Sequence, residues 1–202
     1  MNIATVKAYS PPPLNIEEIR RYAGCRRDDE SLDGLISECI AEAEGLLIYK
    51  VSYTEFPLET RENTLNLGFI SVDSKDLKKC LDGCEKIIVF SATIGLSADR
   101  LIKKYSRISP SKALVMNAVC TERIESLCDA FYSDIRDEYA ASSCALTPRF
   151  SPGYGDLPLT LQPSILSATG AQKNIGLTLS DSLIMIPTKS VTAIIGIKKQ
   201  SK

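Results

Sequence analysis

Apolar residues recur along this chain with two different spacings, one typical of helices and one typical of strands. Residues 31–47 place an apolar side chain at every third or fourth position, which predicts an amphipathic helix. Residues 48–59 alternate and are rich in β-favouring side chains, so they predict a strand. Residues 86–93 contain an unbroken apolar run, which is typical of a strand buried on both faces. The longest helical pattern covers residues 110–139 and begins at a proline, which suits a first helical turn.

Shorter stretches complete the expected elements. Further helices are expected at residues 16–23, 76–81, 97–107 and 163–169, and further strands at residues 66–72, 177–186 and 190–197. Helices and strands follow one another without the regular rhythm of βαβ units. The chain is therefore predicted to be one α+β domain, a mixed and mainly antiparallel sheet packed with helices that include one long central helix. Residues 1–13, which end in three consecutive prolines, are expected to form a flexible N-terminal arm, and residues 14–202 the domain itself.

The overall charge and hydropathy exclude several classes of protein. The 202 residues are 44% hydrophobic and 24% charged, which is ordinary for one globular core. A formal net charge of −1 gives no general attraction to nucleic acid or to an anionic membrane. No stretch reaches the roughly 18 apolar residues of a membrane span, and the N-terminus is too polar for a signal peptide. The protein is therefore expected to be cytoplasmic and to bind neither nucleic acid nor membranes.

The chain contains no histidine, which removes Ser-His-Asp and Cys-His catalysis and imidazole acid–base chemistry. Its seven cysteines form no CxxC pair, so reduced thiols that pack as small apolar side chains are expected, and no metal site. Any chemistry must use carboxylates, lysine, tyrosine or cysteine, or must belong to a bound ligand or a partner. No catalytic residue is therefore assigned.

The segment 147–158 is the most unusual part of the sequence, with three prolines and two glycines in twelve residues. Gly153 and Gly155 allow a ligand to approach the backbone, and they match neither a dinucleotide nor a P-loop pattern. Arg149 is suited to a two-pronged contact with a carboxylate, and Tyr154 to contact with a flat base or a cation. The alternative is a tight surface turn with a solvated arginine, and composition alone favours that alternative.

Two further positions are candidates for ligand contacts. Glu125 lies among apolar positions of the long predicted helix, and a partly buried glutamate there needs a cation such as an α-ammonium group. Most glutamates of this kind face solvent. Lys189 lies in the segment 185–196, where it is a candidate for an exposed charge directed at a ligand or a partner. On periodicity alone, that segment is better explained as a strand entered through a proline.

These residues resemble a known family. Arg149 to Tyr154 together with Pro158 resembles the Arg-x-x-x-Gly-Tyr-x-x-x-Pro motif of the activation domain of cobalamin-dependent methionine synthase. The segment 187–196 resembles the strand that follows in that domain, and Glu125 matches the acidic ligand contact of the family. The likeness is strongest over residues 113–197. Two departures stand out, because Asp156-Leu157 occupies the place of Ala-Cys, and Ile194-Ile195 the place of aromatic residues.

The resemblance implies an α+β domain that binds S-adenosylmethionine. In this interpretation Arg149 holds the methionine carboxylate and Glu125 the ammonium group. The remaining expected contacts are backbone access at Gly153 and Gly155, the adenosine or sulfonium side at Tyr154, the ribose hydroxyls at Asp156, and Lys189 and Ser190 at the start of the second segment. No metal ligand is expected in this chain.

The resemblance also implies a function, which is support for the reductive methylation of inactive cob(II)alamin. The cobalamin is expected on a partner, the cobalamin-binding methionine synthase subunit, and a flavodoxin- or ferredoxin-like protein is expected to donate the electron. The chain would then be a component of a methyltransferase in methionine biosynthesis. The alternative is a non-catalytic S-adenosylmethionine sensor or adaptor that docks on a corrinoid protein. A third class is an unrelated structural domain, in which the 147–158 loop is only a turn.

Overall fold

A sheet of five strands forms the centre of the structure, and each of its faces carries different helices. The computed structural model describes residues 3–24, 32–61 and 64–199. The helices are α1 (Ile16–Tyr22), α2 (Asp33–Ala43), α3 (Lys75–Cys80), α4 (Leu96–Ile108), α5 (Pro110–Ala140), α6 (Gln162–Thr169) and α7 (Ala171–Ile175). The strands are β1 (Thr5–Tyr9), β2 (Tyr49–Pro57), β3 (Glu59–Arg61), β4 (Thr64–Asn66), β5 (Ser71–Val72), β6 (Lys86–Thr93), β7 (Cys144–Leu146), β8 (Thr178–Leu179), β9 (Met185–Ile186) and β10 (Ser190–Lys199).

The central sheet has the strand order β1-β2-β6-β10-β7, and every neighbouring pair is antiparallel. Strand β7 pairs only with the last residues of β10, at Ile197, Lys198 and Lys199. Strands β3, β4 and β5 form a small separate sheet, and β8 and β9 form a two-stranded hairpin. The first half of β10 therefore has a strand neighbour on one side only among the described residues.

Helix α5 is the main element on one face of the sheet. Its start follows from sequence, because Ser109 accepts a hydrogen bond from the Lys112 backbone N–H at 3.4 Å and Pro110 occupies the first turn. Phe131 of α5 packs against Phe90 of β6, with 4.9 Å between ring centroids. Helices α1, α2 and α4 share this apolar cluster. The long helix thereby presents a continuous row of side chains beside the sheet.

The opposite face of the sheet carries α3 and α6. Ile87 and Val89 of β6 point to this face, since side chains alternate along a strand. Helix α6 is fixed by two hydroxyls of β2, because Ser52 and Thr54 donate to backbone carbonyls at its C-terminal end at 2.6 and 3.0 Å. These bonds satisfy carbonyls that the helix itself leaves unpaired. Helices α5 and α6 consequently lie on opposite sides of the same sheet.

The predicted α+β architecture is confirmed, with an antiparallel sheet and one long helix at Pro110–Ala140. The strand expected at residues 66–72 is instead the last residue of β4 and the whole of β5, because Gly68 turns the chain at a φ of +80°. The strand expected at 177–186 forms only the hairpin ends β8 and β9. Between them, Ser180 N–H donates to the Ile184 carbonyl at 2.9 Å and closes a turn.

Two smaller differences concern short elements. The helix expected at 31–47 ends earlier, because Gly45 has a φ of +79°, and residue 31 lies outside the described residues. Strand β7 and helix α7 were not expected, since each is too short to produce a periodic pattern. Neither difference alters the architecture, although β7 fixes the chain that leads into the 147–158 loop.

The N-terminal residues are attached to the domain. Thr5–Tyr9, expected in a flexible arm, forms edge strand β1, with Thr5 opposite Tyr53 in the pairing with β2. The guanidinium of Arg123 on α5 donates to the carbonyls of Pro12 and Pro13 at 2.8 and 3.0 Å. Both contacts join residues far apart in sequence, so the local sequence pattern does not predict them. Residues 1 and 2 lie outside the described part, and the division at residue 14 stays a prediction.

Candidate functional site

A cavity of about 430 Å³ opens at the free edge of β10. This volume lies within the range of about 300–1,000 Å³ that is typical of small-molecule sites. Its walls come from α5, the loop after β7, the start of α6, the β8–β9 hairpin and the first residues of β10. The lining residues are Glu125, Arg149, Phe150, Ser151, Pro152, Tyr154, Gln162, Met185, Ser190, Val191 and Thr192.

The edge of β10 offers backbone groups to this cavity. Ile194 exchanges two backbone hydrogen bonds with Phe150, at 2.8 and 2.9 Å, on the side of β10 away from β6. Backbone groups of alternate residues point to the same side of an antiparallel strand. The N–H and C=O of Thr192 therefore point to the side where Phe150 lies, and no strand among the described residues covers them.

Arg149 lies at one wall of the cavity, between two carboxylates of α5. Its Nη2 atom lies 3.2 Å from Glu125 Oε2 and 3.0 Å from Asp129 Oδ1. Glu125 and Asp129 are one helical turn apart, so the spacing of α5 places both on the same face. The Arg149 side chain is 25% exposed, compared with 40% for Glu125 and 72% for Asp129. The cluster therefore lies between the cavity and solvent.

The surroundings of Arg149 favour its charged form. Burial disfavours the charged guanidinium, but Cys128, Glu125 and Asp129 together raise the pKa of Arg149 above its ordinary value. The cluster holds two carboxylates and one guanidinium, which leaves one excess negative charge. Such a cluster can bind a zwitterion, since it offers a cation to a carboxylate and an anion to an ammonium group.

The loop 150–158 folds as a pair of turns at the rim of the cavity. Gly153 N–H donates to the Leu157 carbonyl at 2.9 Å, and Leu157 N–H donates to the Tyr154 carbonyl at 3.1 Å. Gly153 has a φ of +92°, which is a conformation that favours glycine. Tyr154 lines the mouth of the cavity with 70% of its surface exposed. The loop thus brings Tyr154 to the site, while Gly153 serves the turn.

Gly155 and Asp156 face α3 instead of the cavity. A Cβ atom on Gly155 would lie 2.3 Å from Asp76 Oδ2, so this glycine permits a close approach within the protein. Asp156 accepts hydrogen bonds from the Ser74 hydroxyl and from the backbone N–H groups of Lys75 and Asp76, the latter two at 2.7 and 3.2 Å. The Ser74 bond, followed by the backbone bonds, lowers the pKa of Asp156. Asp156 therefore supplements the Ser74 N-cap of α3, and this geometry does not support the expected contact with ribose hydroxyls.

The two candidates at the start of β10 have different surroundings. Ser190 lines the cavity, and its hydroxyl oxygen lies 2.8 Å from both the Pro187 carbonyl, to which it can donate, and the Thr93 hydroxyl. Lys189 lies outside the lining and donates to the Thr121 hydroxyl at 2.6 Å. Burial lowers the pKa of Lys189. Four of the eight expected contact residues therefore line the cavity, namely Glu125, Arg149, Tyr154 and Ser190.

Sequence reasoning missed several polar residues of the site, and Asp129 and Gln162 illustrate two different reasons. Asp129 is detectable, because it lies four residues after Glu125 on a long predicted helix and must share its face. Gln162 gives no local signal, since a glutamine at a helix start is usually solvated. In the structure it is only 5% exposed and lines the cavity. No group of three His, Cys, Asp or Glu side chains in the described ranges is placed to hold a metal ion.

Comparison with known proteins supports the fold. No protein-family model matches the chain, and no curated protein matches it in sequence. One solved structure with a similar fold is the crystal structure of the MetH reactivation domain bound to AdoHcy, with a TM-score of 0.69. The two chains are 15% identical, and the match covers 98% of this chain and 79% of that chain. This likeness shows a shared fold. Within the described residues, no helix has the length and apolar character that crossing a membrane requires.

Proposed function

We propose that this chain binds S-adenosylmethionine in the cavity beside β10 and acts as a reactivation domain for a corrinoid methyltransferase. One observation carries the proposal, namely the placement of Arg149 between Glu125 and Asp129 on the cavity wall. The amino-acid end of the ligand has a carboxylate and an ammonium group. The guanidinium pairs with the carboxylate, and a carboxylate of α5 pairs with the ammonium.

The charge of the cluster favours the methylated ligand. S-adenosylmethionine carries a sulfonium in addition to its zwitterion, so its net charge is one positive, whereas the demethylated product is neutral overall. The excess negative charge on Glu125 and Asp129 attracts the sulfonium form more strongly. The effect is moderate, because Asp129 is 72% exposed and solvent screens it. The demethylated product is held less strongly by this negative charge, which favours its release after methyl transfer.

In this function the chain only has to bind S-adenosylmethionine and orient its methyl group. When bound, S-adenosylmethionine supplies an electrophilic methyl group, and no histidine or protein nucleophile is required to activate it. Arg149 and Glu125 would fix the amino-acid end, and Tyr154 at the exposed mouth would lie along the opening. The likeness in fold to a reactivation domain that was solved with AdoHcy supports this assignment.

The acceptor would be cobalamin carried by a partner, a cobalamin-binding methionine synthase subunit. A flavodoxin- or ferredoxin-like protein would supply one electron to the inactive cob(II) state before the methyl transfer. Tyr154 lies at the mouth of the cavity with 70% of its surface exposed, where a partner protein could contact it. The proposed cellular location is the cytoplasm, where such electron donors act.

Binding of S-adenosylmethionine tests the first part of the proposal. Isothermal titration calorimetry with the full chain should detect one site, and Arg149→Met should weaken it about 10- to 100-fold, since a charge-assisted contact is lost. The matched control is Arg136→Met, which changes an exposed arginine of α5 that pairs with Asp137. Equal affinity of the Arg149 variant and the control would refute the assignment of the site.

Methyl transfer tests the second part. S-adenosylmethionine with a labelled methyl group, a cob(II)alamin-loaded methionine synthase lacking its own activation domain, and reduced flavodoxin are combined with the chain in a single turnover. Appearance of label on cobalt that depends on the chain supports reactivation. Tight binding without any transfer would instead identify a sensor or adaptor. Absence of binding would leave a structural domain.

A further inference from the structure

Gln162 is a buried polar residue without an obvious role in the fold. It is the first residue of α6, it is 5% exposed, and it lines the same cavity as Arg149. Its Oε1 atom is buried and accepts no hydrogen bond from any described residue. A buried amide oxygen without a donor is unfavourable, and such groups commonly mark a place where a ligand completes the bonding.

The position of Gln162 differs from that of the charged cluster. Glu125 belongs to α5 on one face of the sheet, and Gln162 belongs to α6 on the other face. The cavity joins both sides because it passes around the free edge of β10, at Ser190 and Thr192. A ligand that contacts both walls must therefore be elongated and must cross the strand edge.

The wall near Gln162 is suited to a flat aromatic group. Phe150 packs with the apolar cluster on the α6 side, and Met185 of the β8–β9 hairpin also lines the cavity. Aromatic and thioether side chains both make favourable contacts with ring faces and edges. The amide of Gln162 offers one acceptor and one donor side by side. This combination matches the N6 and N7 edge of adenine, which a glutamine binds through two hydrogen bonds.

We propose that Gln162 recognises the adenine base of the bound ligand, accepting a hydrogen bond from the exocyclic amine and donating one to N7. The inference rests on the proposed function, which supplies an adenosyl ligand. Oε1 turns toward the base by rotation about the last side-chain torsion, which has a broad profile in glutamine. The ligand then lies across the edge of β10, with its amino-acid end at Arg149 and its base at Gln162.

The recognition makes the site selective for adenine over hypoxanthine. Hypoxanthine has a carbonyl in place of the amine, so its corresponding edge presents two acceptors, and the amide satisfies only one of them. The experiment compares S-adenosylhomocysteine with S-inosylhomocysteine by calorimetry on the full chain. It uses wild type, Gln162→Met, which keeps the length of the side chain without its polar atoms, and Gln162→Glu, which can accept but not donate. The matched control is Gln172→Met, an exposed glutamine of α7 outside this cavity.

Wild type and the Gln172 variant should bind the adenosyl ligand about tenfold or more tightly than the inosyl ligand. The Gln162→Met variant should lose that discrimination and bind both at the weaker level, and Gln162→Glu should fall between. The ligand-free melting temperature of the Gln162→Met variant should stay unchanged or rise, because the unpaired acceptor is gone. A purely structural role would instead lower the melting temperature and weaken both ligands equally, and that result would overturn the inference.

The outcome also separates this inference from the proposed function. Tight binding of S-adenosylmethionine by wild type with equal affinity in Gln162→Met would overturn the role of Gln162 and leave the proposed function intact. Failure of wild type to bind S-adenosylmethionine would overturn both. Wild-type affinity that is the same for the adenosyl and inosyl ligands would also reject adenine recognition at this wall.

Discussion

The Glu122–Arg123 ion pair of α5 attaches the N-terminal segment to the long helix, and removing its cation tests that attachment. Arg123 is 4% exposed and Glu122 is 2% exposed. The guanidinium donates to Glu122 Oε2 and Oε1 at 2.6 and 2.8 Å and to the carbonyls of Pro12 and Pro13 at 2.8 and 3.0 Å. Arg123→Met keeps much of the apolar volume and removes all four donors.

The expected loss in the free energy of unfolding is about 3–5 kcal/mol, the usual effect of leaving one member of a buried pair uncompensated. Glu122 would keep two donors, the Asn15 backbone N–H at 2.9 Å and the Ser126 hydroxyl at 2.5 Å. Both donors are neutral groups, so they do not replace the missing positive charge of Arg123. A loss of this size is large compared with the roughly 5–15 kcal/mol of stability typical of a domain.

Urea denaturation followed by circular dichroism at 222 nm measures the change. Arg136→Met, at an exposed arginine of the same helix, should change stability by less than about 0.5 kcal/mol. The double variant Glu122→Met/Arg123→Met should recover much of the loss, because no buried charge remains. The reasoning is refuted if Arg123→Met costs less than about 1 kcal/mol, or if the double variant is no more stable than the single one.

Two other predictions follow from contacts outside the cavity. Asp156→Ala should lower the melting temperature, because the N–H groups of Lys75 and Asp76 lose their acceptor, yet leave the affinity for S-adenosylmethionine within twofold of wild type by calorimetry. A large loss of affinity would show that Asp156 contacts the ligand after all. The second concerns acid stability, because a hydrogen bond from Tyr105, then bonds from Lys104 and Lys112, lower the pKa of Glu42 from 4.5 to about 2. This stabilisation is present above pH 4.5 and lost as the pH falls through about 2, so the stability advantage of wild type over Glu42→Gln should shrink across that window in urea titrations. A stability advantage of wild type that is the same at pH 4.5 and at about pH 2 would contradict the lowered pKa of Glu42.

Local signals were enough for the elements that form independently of distant residues. Pro110 and the apolar spacing after it define α5, and the unbroken run in residues 86–93 defines β6. Edge strand β1 was missed because its pairing partner lies at least forty residues later, at residues 49–53. The prediction of one strand over 177–186 failed because the polar residues 180–182 lie in a turn, which the bond from Ser180 N–H to the Ile184 carbonyl closes.

The site shows the same division between local and distant causes. Arg149 and Glu125 were selected from a short motif and a helix position, and the structure brings the two side chains together. Ligand contact by any of the eight expected residues stays a prediction. The contacts of Asp156 with α3 and the burial of Gln162 depend on packing between segments far apart in sequence. No pattern within the 147–158 loop carries that information.

The loop residue Pro152 has a consequence for the unpaired part of β10. If the antiparallel pairing of Phe150 with Ile194 continued for two residues, Pro152 would lie opposite Thr192. Proline has no N–H, so Pro152 could not donate a hydrogen bond to the Thr192 carbonyl, and pairing beyond the bridge is disfavoured. Pro152 therefore disfavours extension of the sheet along this part of β10, in addition to the turn at Gly153 that directs the chain away. A residue with a backbone N–H in place of Pro152 would restore that donor and allow the pairing with β10 to extend along the cavity edge.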